Sequence, residues 1–102
     1  MKICAKKQGN VLYIELIGEI DEHNAALCRK EADKLVEAYA GCERAVFVLR
    51  DISFMDSTGI GFLIGRYKKF TRFGIPVYIA APPTSVDKIL SMSGVYTLMP
   101  RI

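Results

Sequence analysis

The sequence is poor in the residues from which small catalytic and metal sites are built. Its 102 residues contain one histidine, His23. A zinc-finger site needs several Cys and His ligands at short spacings, and a Ser-His-Asp triad would have to use this single imidazole. Cysteine is scarce and odd in number: Cys4, Cys28 and Cys42 include no C-x-x-C pair. A disulfide framework is therefore not expected, and the three thiols read as small buried or half-buried groups. Charge of one sign is also lacking. Fourteen Lys+Arg against eleven Asp+Glu leave a formal charge of +3, too small to single out nucleic acid as a partner. No segment approaches the roughly 18 apolar residues of a membrane span. Lys2, Lys6 and Lys7 interrupt the N-terminus before a signal-peptide core of about 7–15 apolar residues can form. The expectation is a cytoplasmic protein with no membrane partner.

What is present describes one ordinary globular domain. The apolar share is 51% and the charged share 25%, which argues against a disordered chain. A chain of this length buries only about 60–65% of its unfolded surface. That suffices for one core but leaves little room for a deep internal active site.

Periodicity changes along the chain. Lys2–Lys6 and Val11–Ile17 read as strands joined by a Gln8-Gly9-Asn10 turn, a hairpin. From about Asn24 to Ala40 the apolar residues Cys28, Ala32, Leu35, Val36 and Tyr39 fall on one helical face, with Gly41 at the C-terminal end. Ala45–Leu49 is an uninterrupted apolar run, read as a fully buried parallel strand ended by Arg50 and Asp51. Ser57–Phe73 is a second helix with Ile60, Leu63, Ile64, Tyr67 and Phe70 as its stripe. Asp56 or Ser57 supplies its N-cap. Arg66, Lys68, Lys69 and Arg72 read as a solvated face. Val77–Ala81 is a further strand. Thr84 or Ser85 caps a third helix, with Val86, Ile89 and Leu90 inward, and Val95–Met99 reads as a last short strand. The order β-β-α-β-α-β-α-β implies an α/β fold whose mixed sheet is parallel over most of its width. Ligands and partners meet such sheets at the carboxyl ends of the strands, here the loops Gly18–Asn24, Arg50–Asp56 and Ala81–Ser85.

The most informative stretch is Asp51-Ile52-Ser53-Phe54-Met55-Asp56-Ser57-Thr58-Gly59-Ile60-Gly61. It places two hydroxyls and two glycines at a helix start, where free N–H groups and the helix dipole favour an anion. One reading is a site that receives or binds phosphate. The other is a capped helix whose glycines permit close packing. Nucleotide templates fail: Ile64 stands where a third glycine would be required, and no Gly-Lys-Ser/Thr occurs. Glu19, Asp21 and Glu22 make a neighbouring acidic loop that, with Asp51 and Asp56, forms an acidic rim. Paired carboxylates suggest acid–base catalysis, but acids before a helix also serve as dipole partners, and no metal-ligand spacing is present. The residues favour a binding module over an enzyme.

The same stretch, continued by Leu63-Ile64-Gly65-Arg66-Tyr67-Lys68 and joined by Gly18-Glu19-Ile20-Asp21 and Met92-Ser93-Gly94-Val95, closely resembles the bacterial anti-sigma factor antagonists. These belong to the STAS domain family shared with sulfate transporters, and the likeness is strongest to the sporulation branch. The resemblance implies a small mixed sheet with helices packed mainly on one face, over residues 1–102 as one domain. It also implies that the C-terminal helix usual in the family is lacking after Ile102. It implies a partner that is both an anti-sigma factor and a serine kinase carrying ATP or ADP, and a serine phosphatase that reverses the modification. The chain itself would need no cofactor. The implied phospho-acceptor is Ser57. Glu19, Asp21, Asp56, Thr58, Gly59 and Gly61 are implied to meet the partner. Alternatives are a stand-alone domain binding a nucleotide or small anion at the same helix start, or a subunit of a larger signalling assembly.

Overall fold

A computed structural model describes residues 1–102. Strands β1 (Lys2–Gln8) and β2 (Val11–Gly18) form the opening hairpin, with Gly9 at φ +60° in its two-residue turn. Helix α1 (Ala25–Ala38) then leads to β3 (Arg44–Ile52), and α2 (Ser57–Arg72) to β4 (Val77–Ala80). Helices α3 (Thr84–Ser93) and α4 (Val95–Leu98) follow. The strands lie in the order β1-β2-β3-β4, antiparallel at the hairpin and parallel beyond it. Both parallel crossovers step the same way across the sheet, and right-handed crossovers then place α1 and α2 on the same face.

Alternation along the strands identifies that face. Leu12, Ile14 and Leu16, Ala45, Phe47 and Leu49, and Val77 and Ile79 are each at most 2% exposed. They form one core with Cys28, Ala32 and Val36 of α1, Phe62, Leu63 and Phe70 of α2, and Val86 and Leu90 of α3. Phe47 meets Phe70 edge to face, with centroids 6.4 Å apart. The opposite face carries no helix. This corrects the expectation that the Ala45–Leu49 run is buried throughout: Val48 is only half-buried. Val46 also points away from the main core, and is enclosed between Tyr13 and Tyr78, its register partners.

The α2 stripe is rotated from the one expected. Gly59, Phe62, Leu63, Arg66 and Phe70 are buried, while Ile60, Ile64 and Tyr67 are half-buried against the core. The helix is covered by the sheet on one side and by α1 on another, so its buried sector includes the flank toward α1. Arg66 and Lys69 lie on that flank and are not a solvated face. Nε of Arg66 is 2.8 Å from Oδ1 of Asp33, and Nζ of Lys69 is 2.7 Å from Oε1 of Glu37. A buried cation requires such a partner. The Arg66 guanidinium also lies over the Phe62 ring at 5.1 Å.

Several termini also differ. β3 extends through Ile52, and α1 ends at Ala38 with Tyr39 as its C-cap. Pro83, not Thr84 or Ser85, holds the N-cap position of α3. The expected last strand at Val95–Met99 is helical. The β-branched and aromatic residues there suggest a strand, but Val95 and Met99 are four apart and both buried, and the Met99 amide donates to the Val95 carbonyl at 2.9 Å. Strand-like pairing begins only afterwards. Arg101 bridges to Ile79 in parallel, with the Ile79 amide donating to the Pro100 carbonyl and the Ile102 amide to the Ile79 carbonyl.

Leu63 has no exposed surface and sits where α2 meets the sheet. Leu63→Ala should cost about 2–5 kcal/mol in a denaturant titration. A loss below 1 kcal/mol would mean that this side chain is not a core contact.

Candidate functional site

The carboxyl ends of β2 and β3 bring two loops together. The Ser53 amide donates to the Gly18 carbonyl at 3.2 Å, tying the acidic loop to the connection between β3 and α2. That connection is fixed from beneath by Ile52 and Met55, 2% and 4% exposed, while Ser53, Phe54, Asp56 and Ser57 face outward.

Asp56 is the N-cap of α2. Its Oδ1 accepts from the Thr58 amide at 2.9 Å and the Gly59 amide at 3.4 Å, and its carbonyl accepts from the Ile60 amide at 3.0 Å. Two of the free N–H groups expected to attract an external anion are therefore already served by a resident carboxylate. Ser57 is the first residue of the helix and is exposed, Thr58 is half-buried, and Gly61 is exposed. Gly59 is buried, so it serves packing and not a partner surface. A Cβ at this position would overlap the Met55 sulfur and approach Cγ2 of Ile20 to 3.2 Å, whereas one at Gly61 would meet nothing within 4 Å.

Ser57, Thr58, Gly61 and Phe62 form one wall of an open groove of about 460 Å³, and Glu22, Ala25 and Arg29 form the other. Of the residues expected at the site, Ser57, Thr58 and Gly61 meet here. Glu19 and Asp21 do not line the groove. Asp21 is exposed but turned into its own loop: its Oδ1 accepts from the His23 and Asn24 amides at 2.8 and 2.9 Å, and Asn24 Oδ1 accepts from the Asp21 amide at 3.0 Å. This reciprocal arrangement has the form of a capping box but closes the turn that precedes α1, whose own N-cap, Asn24, makes no side-chain cap bond. The Asn24 amide above all, helped by the His23 amide, holds the Asp21 carboxyl below its ordinary range. Glu19 is exposed, and its carbonyl accepts from Asn24 Nδ2 at 3.2 Å.

Two groups went unnoticed in the sequence. Arg29 read only as part of the polar side of α1, because nothing local signals that α1 and α2 run side by side. Phe54, 53% exposed beside the cap, gave no signal either, since an aromatic residue in a loop reads as core. Cys28 and Cys42 are buried, and burial pushes both thiols above their ordinary range, which keeps them inert.

The STAS domain family model matches residues 2–102. The chain belongs to the STAS domain family. It is 34% identical over 100 residues to an anti-sigma F factor antagonist of Paenibacillus polymyxa, covering 98% of this chain and 85% of that protein. Its fold matches the anti-sigma factor antagonist SpoIIAA in its unphosphorylated form, with a TM-score of 0.79 at 22% identity over 99% of this chain and 88% of that one. It also matches the phosphorylated form of the Bacillus cell fate determinant SpoIIAA, with a TM-score of 0.69 at 20% identity over 99% and 91%. The chain therefore has the small mixed sheet with helices on one face that the resemblance implied.

The two glycines of α2 separate packing from surface. Gly59→Ala should destabilise by roughly 1–3 kcal/mol through overpacking against Met55 and Ile20. Gly61→Ala, in an open helical position, should stabilise by about 0.4–1 kcal/mol. Thermal or denaturant melts of the two variants decide it, and equal effects of one sign would contradict the assignment.

Proposed function

We propose that this chain is an anti-sigma factor antagonist switched by phosphorylation of Ser57. In its unphosphorylated form it binds an anti-sigma factor that is also a serine kinase and so releases the sigma factor. The kinase, carrying the nucleotide, then modifies Ser57 and ends the complex, and a serine phosphatase restores the hydroxyl. The exchange takes place in the cytoplasm, without direct nucleic-acid or membrane contact. The observation that carries this reading is the exposed Ser57, held at the first position of α2 beside the capping Asp56 in an open groove. Membership in the family, and a curated relative that is an anti-sigma F factor antagonist, support it.

The chemistry required of the chain is small. It has to present a hydroxyl to a kinase and a complementary surface to the same partner. Phosphate adds about −1.5 to −2 charges at neutral pH. The added charge lies beside Asp56 and across the groove from Glu22. A partner surface shaped for a neutral hydroxyl must then accept a bulky dianion, which costs several kcal/mol, on the order of a thousandfold in affinity. Exposed Phe54 beside the cap offers an apolar anchor, and Glu19 and Asp21 offer negative charge to a basic partner.

The alternative of a nucleotide or small-anion site at the helix start is disfavoured by Asp56, whose carboxylate already takes the Thr58 and Gly59 amides. Calorimetry with ATP, GTP and inorganic phosphate should show no tight binding to the isolated chain.

Ser57→Ala should bind the kinase and remain bound in the presence of ATP, while Ser57→Asp should bind less tightly. Asp21→Asn keeps an oxygen acceptor for the loop amides but loses the charge. It should stay folded and melt slightly below the unaltered protein at neutral pH, while weakening association by roughly tenfold. Incubation with the cognate kinase and ATP, followed by peptide mass mapping, should place phosphate on Ser57. Phosphate on Ser53 or Thr58, or on neither these nor Ser57, would overturn the assignment.

A further inference from the structure

The seam between α1 and α2 is a ladder of opposite charges with one rung missing. Arg29, Asp33 and Glu37 are four residues apart on α1, and so follow one line along the helix. Asp33 meets Arg66 at 2.8 Å and Glu37 meets Lys69 at 2.7 Å. The next position toward the helix starts belongs to Arg29. The first turn of α2 carries no acidic residue, and the groove wall facing Arg29 consists of Ser57, Thr58, Gly61 and Phe62. Arg29 takes part in none of the chain's ion pairs. Its charge is nonetheless felt along the seam, adding to burial in holding the Arg66 guanidinium below its ordinary range.

We propose that Arg29 is the intramolecular phosphate ligand of the switch, pairing across the α1/α2 groove with the phosphoryl group on Ser57. The inference rests on the reading of Ser57 as the modified residue. The cap geometry calls for such a ligand. Asp56 occupies the Thr58 and Gly59 amides, so those two N–H groups are not free to take a new dianion at position 57. Glu22 and Asp56 both repel it. Arg29 is the cation lining the same groove, and a guanidinium fits phosphate oxygens in a bidentate manner. Modification then changes the partner-facing surface twice, adding an anion at Ser57 and withdrawing the free cation at Arg29. Arg66, unlike the exposed Arg29, is buried, and its Nε and Nη1 make no hydrogen bond, so its 2.8 Å contact with Asp33 is an ion pair by charge and not by hydrogen-bond geometry.

The test uses the full chain with phosphoserine installed at position 57 by genetic encoding, so it does not depend on the kinase. Phosphorus NMR follows the second ionisation of the phosphate in the unaltered chain and in the Arg29→Gln, Arg29→Lys and Glu22→Gln variants. In the unaltered chain the ionisation should fall below the ordinary value of about 6. Arg29→Gln should raise it by roughly half a pH unit or more, Arg29→Lys should restore part of the shift, and Glu22→Gln should lower it further. Added salt should shrink the difference between the unaltered and Arg29→Gln chains. Identical titrations of those two chains would overturn the ion pair. Failure of the cognate kinase to modify Ser57 is read separately by mass mapping, and would overturn the functional reading instead.

Discussion

The site depends on the capping of α2 by Asp56. The chain leaves β3 at Ile52 and must start a helix at Ser57. Within that short connection Met55 is drawn into the core, and Asp56 binds the Thr58 and Gly59 amides. With two of its first-turn amides satisfied and no room for a side chain at Gly59 beside Met55 and Ile20, the helix has little freedom to rotate about its axis. Ser57 is left pointing to solvent at the carboxyl edge of the sheet. The hydroxyl proposed as the target of a kinase and a phosphatase is thus positioned by a cap made of backbone groups it does not contact. The same cap occupies two N–H groups of the helix start, which on the proposed reading leaves more of the electrostatics of the switch to side chains across the groove.

Those side chains belong to the second organising feature, the lateral contact of α1 with α2. Stacking both helices on one sheet face gives each a flank that is neither core nor solvent. Asp33–Arg66 and Glu37–Lys69 occupy that flank. Arg66 is 6% exposed, and its desolvation is offset by Asp33 and by the Phe62 ring. Such a pair contributes more to fixing the relative register of the helices than to net stability. Register matters here because Arg29 on α1 and Glu22 in the loop before it must face Ser57 on α2 for the groove to exist.

The order of elements was readable up to α3 because each has a strong period and a clear terminator. The alternation in β2, the apolar run in β3, and Gly74 followed by Pro76 after α2 are local signals. The Asp-Ser-Thr-Gly stretch was readable as a helix start, and as a resemblance it pointed to Ser57. What local patterns could not carry was lateral packing. Arg66 belongs to the buried line only because α1 lies beside it, and Gly59 is a packing residue only because Met55 folds beneath it. The segment Val95–Met99 failed for a related reason. Its residues favour strands in isolation, but Gly94 at φ +81° redirects the chain and burial of Val95 with Met99 selects a helical turn. Asp21 shows both sides of the limit: its place before α1 was plain, but the loop amides that engage its carboxylate appear only in the folded loop.

Taken together, these contacts make the protein a preorganised surface, and on the proposed reading charge is switched on it without refolding. Amide hydrogen exchange on the unmodified chain and on the chain phosphorylated at Ser57 tests that claim most directly. Protection of β3 and of the buried face of α2, including Phe47, Leu49 and Leu63, should be unchanged. Differences should be confined to the acidic loop, the first turns of α1 and α2, and the groove between them. Loss of protection across β3 or along the length of α2 would contradict the account, because it would make the switch a change of fold.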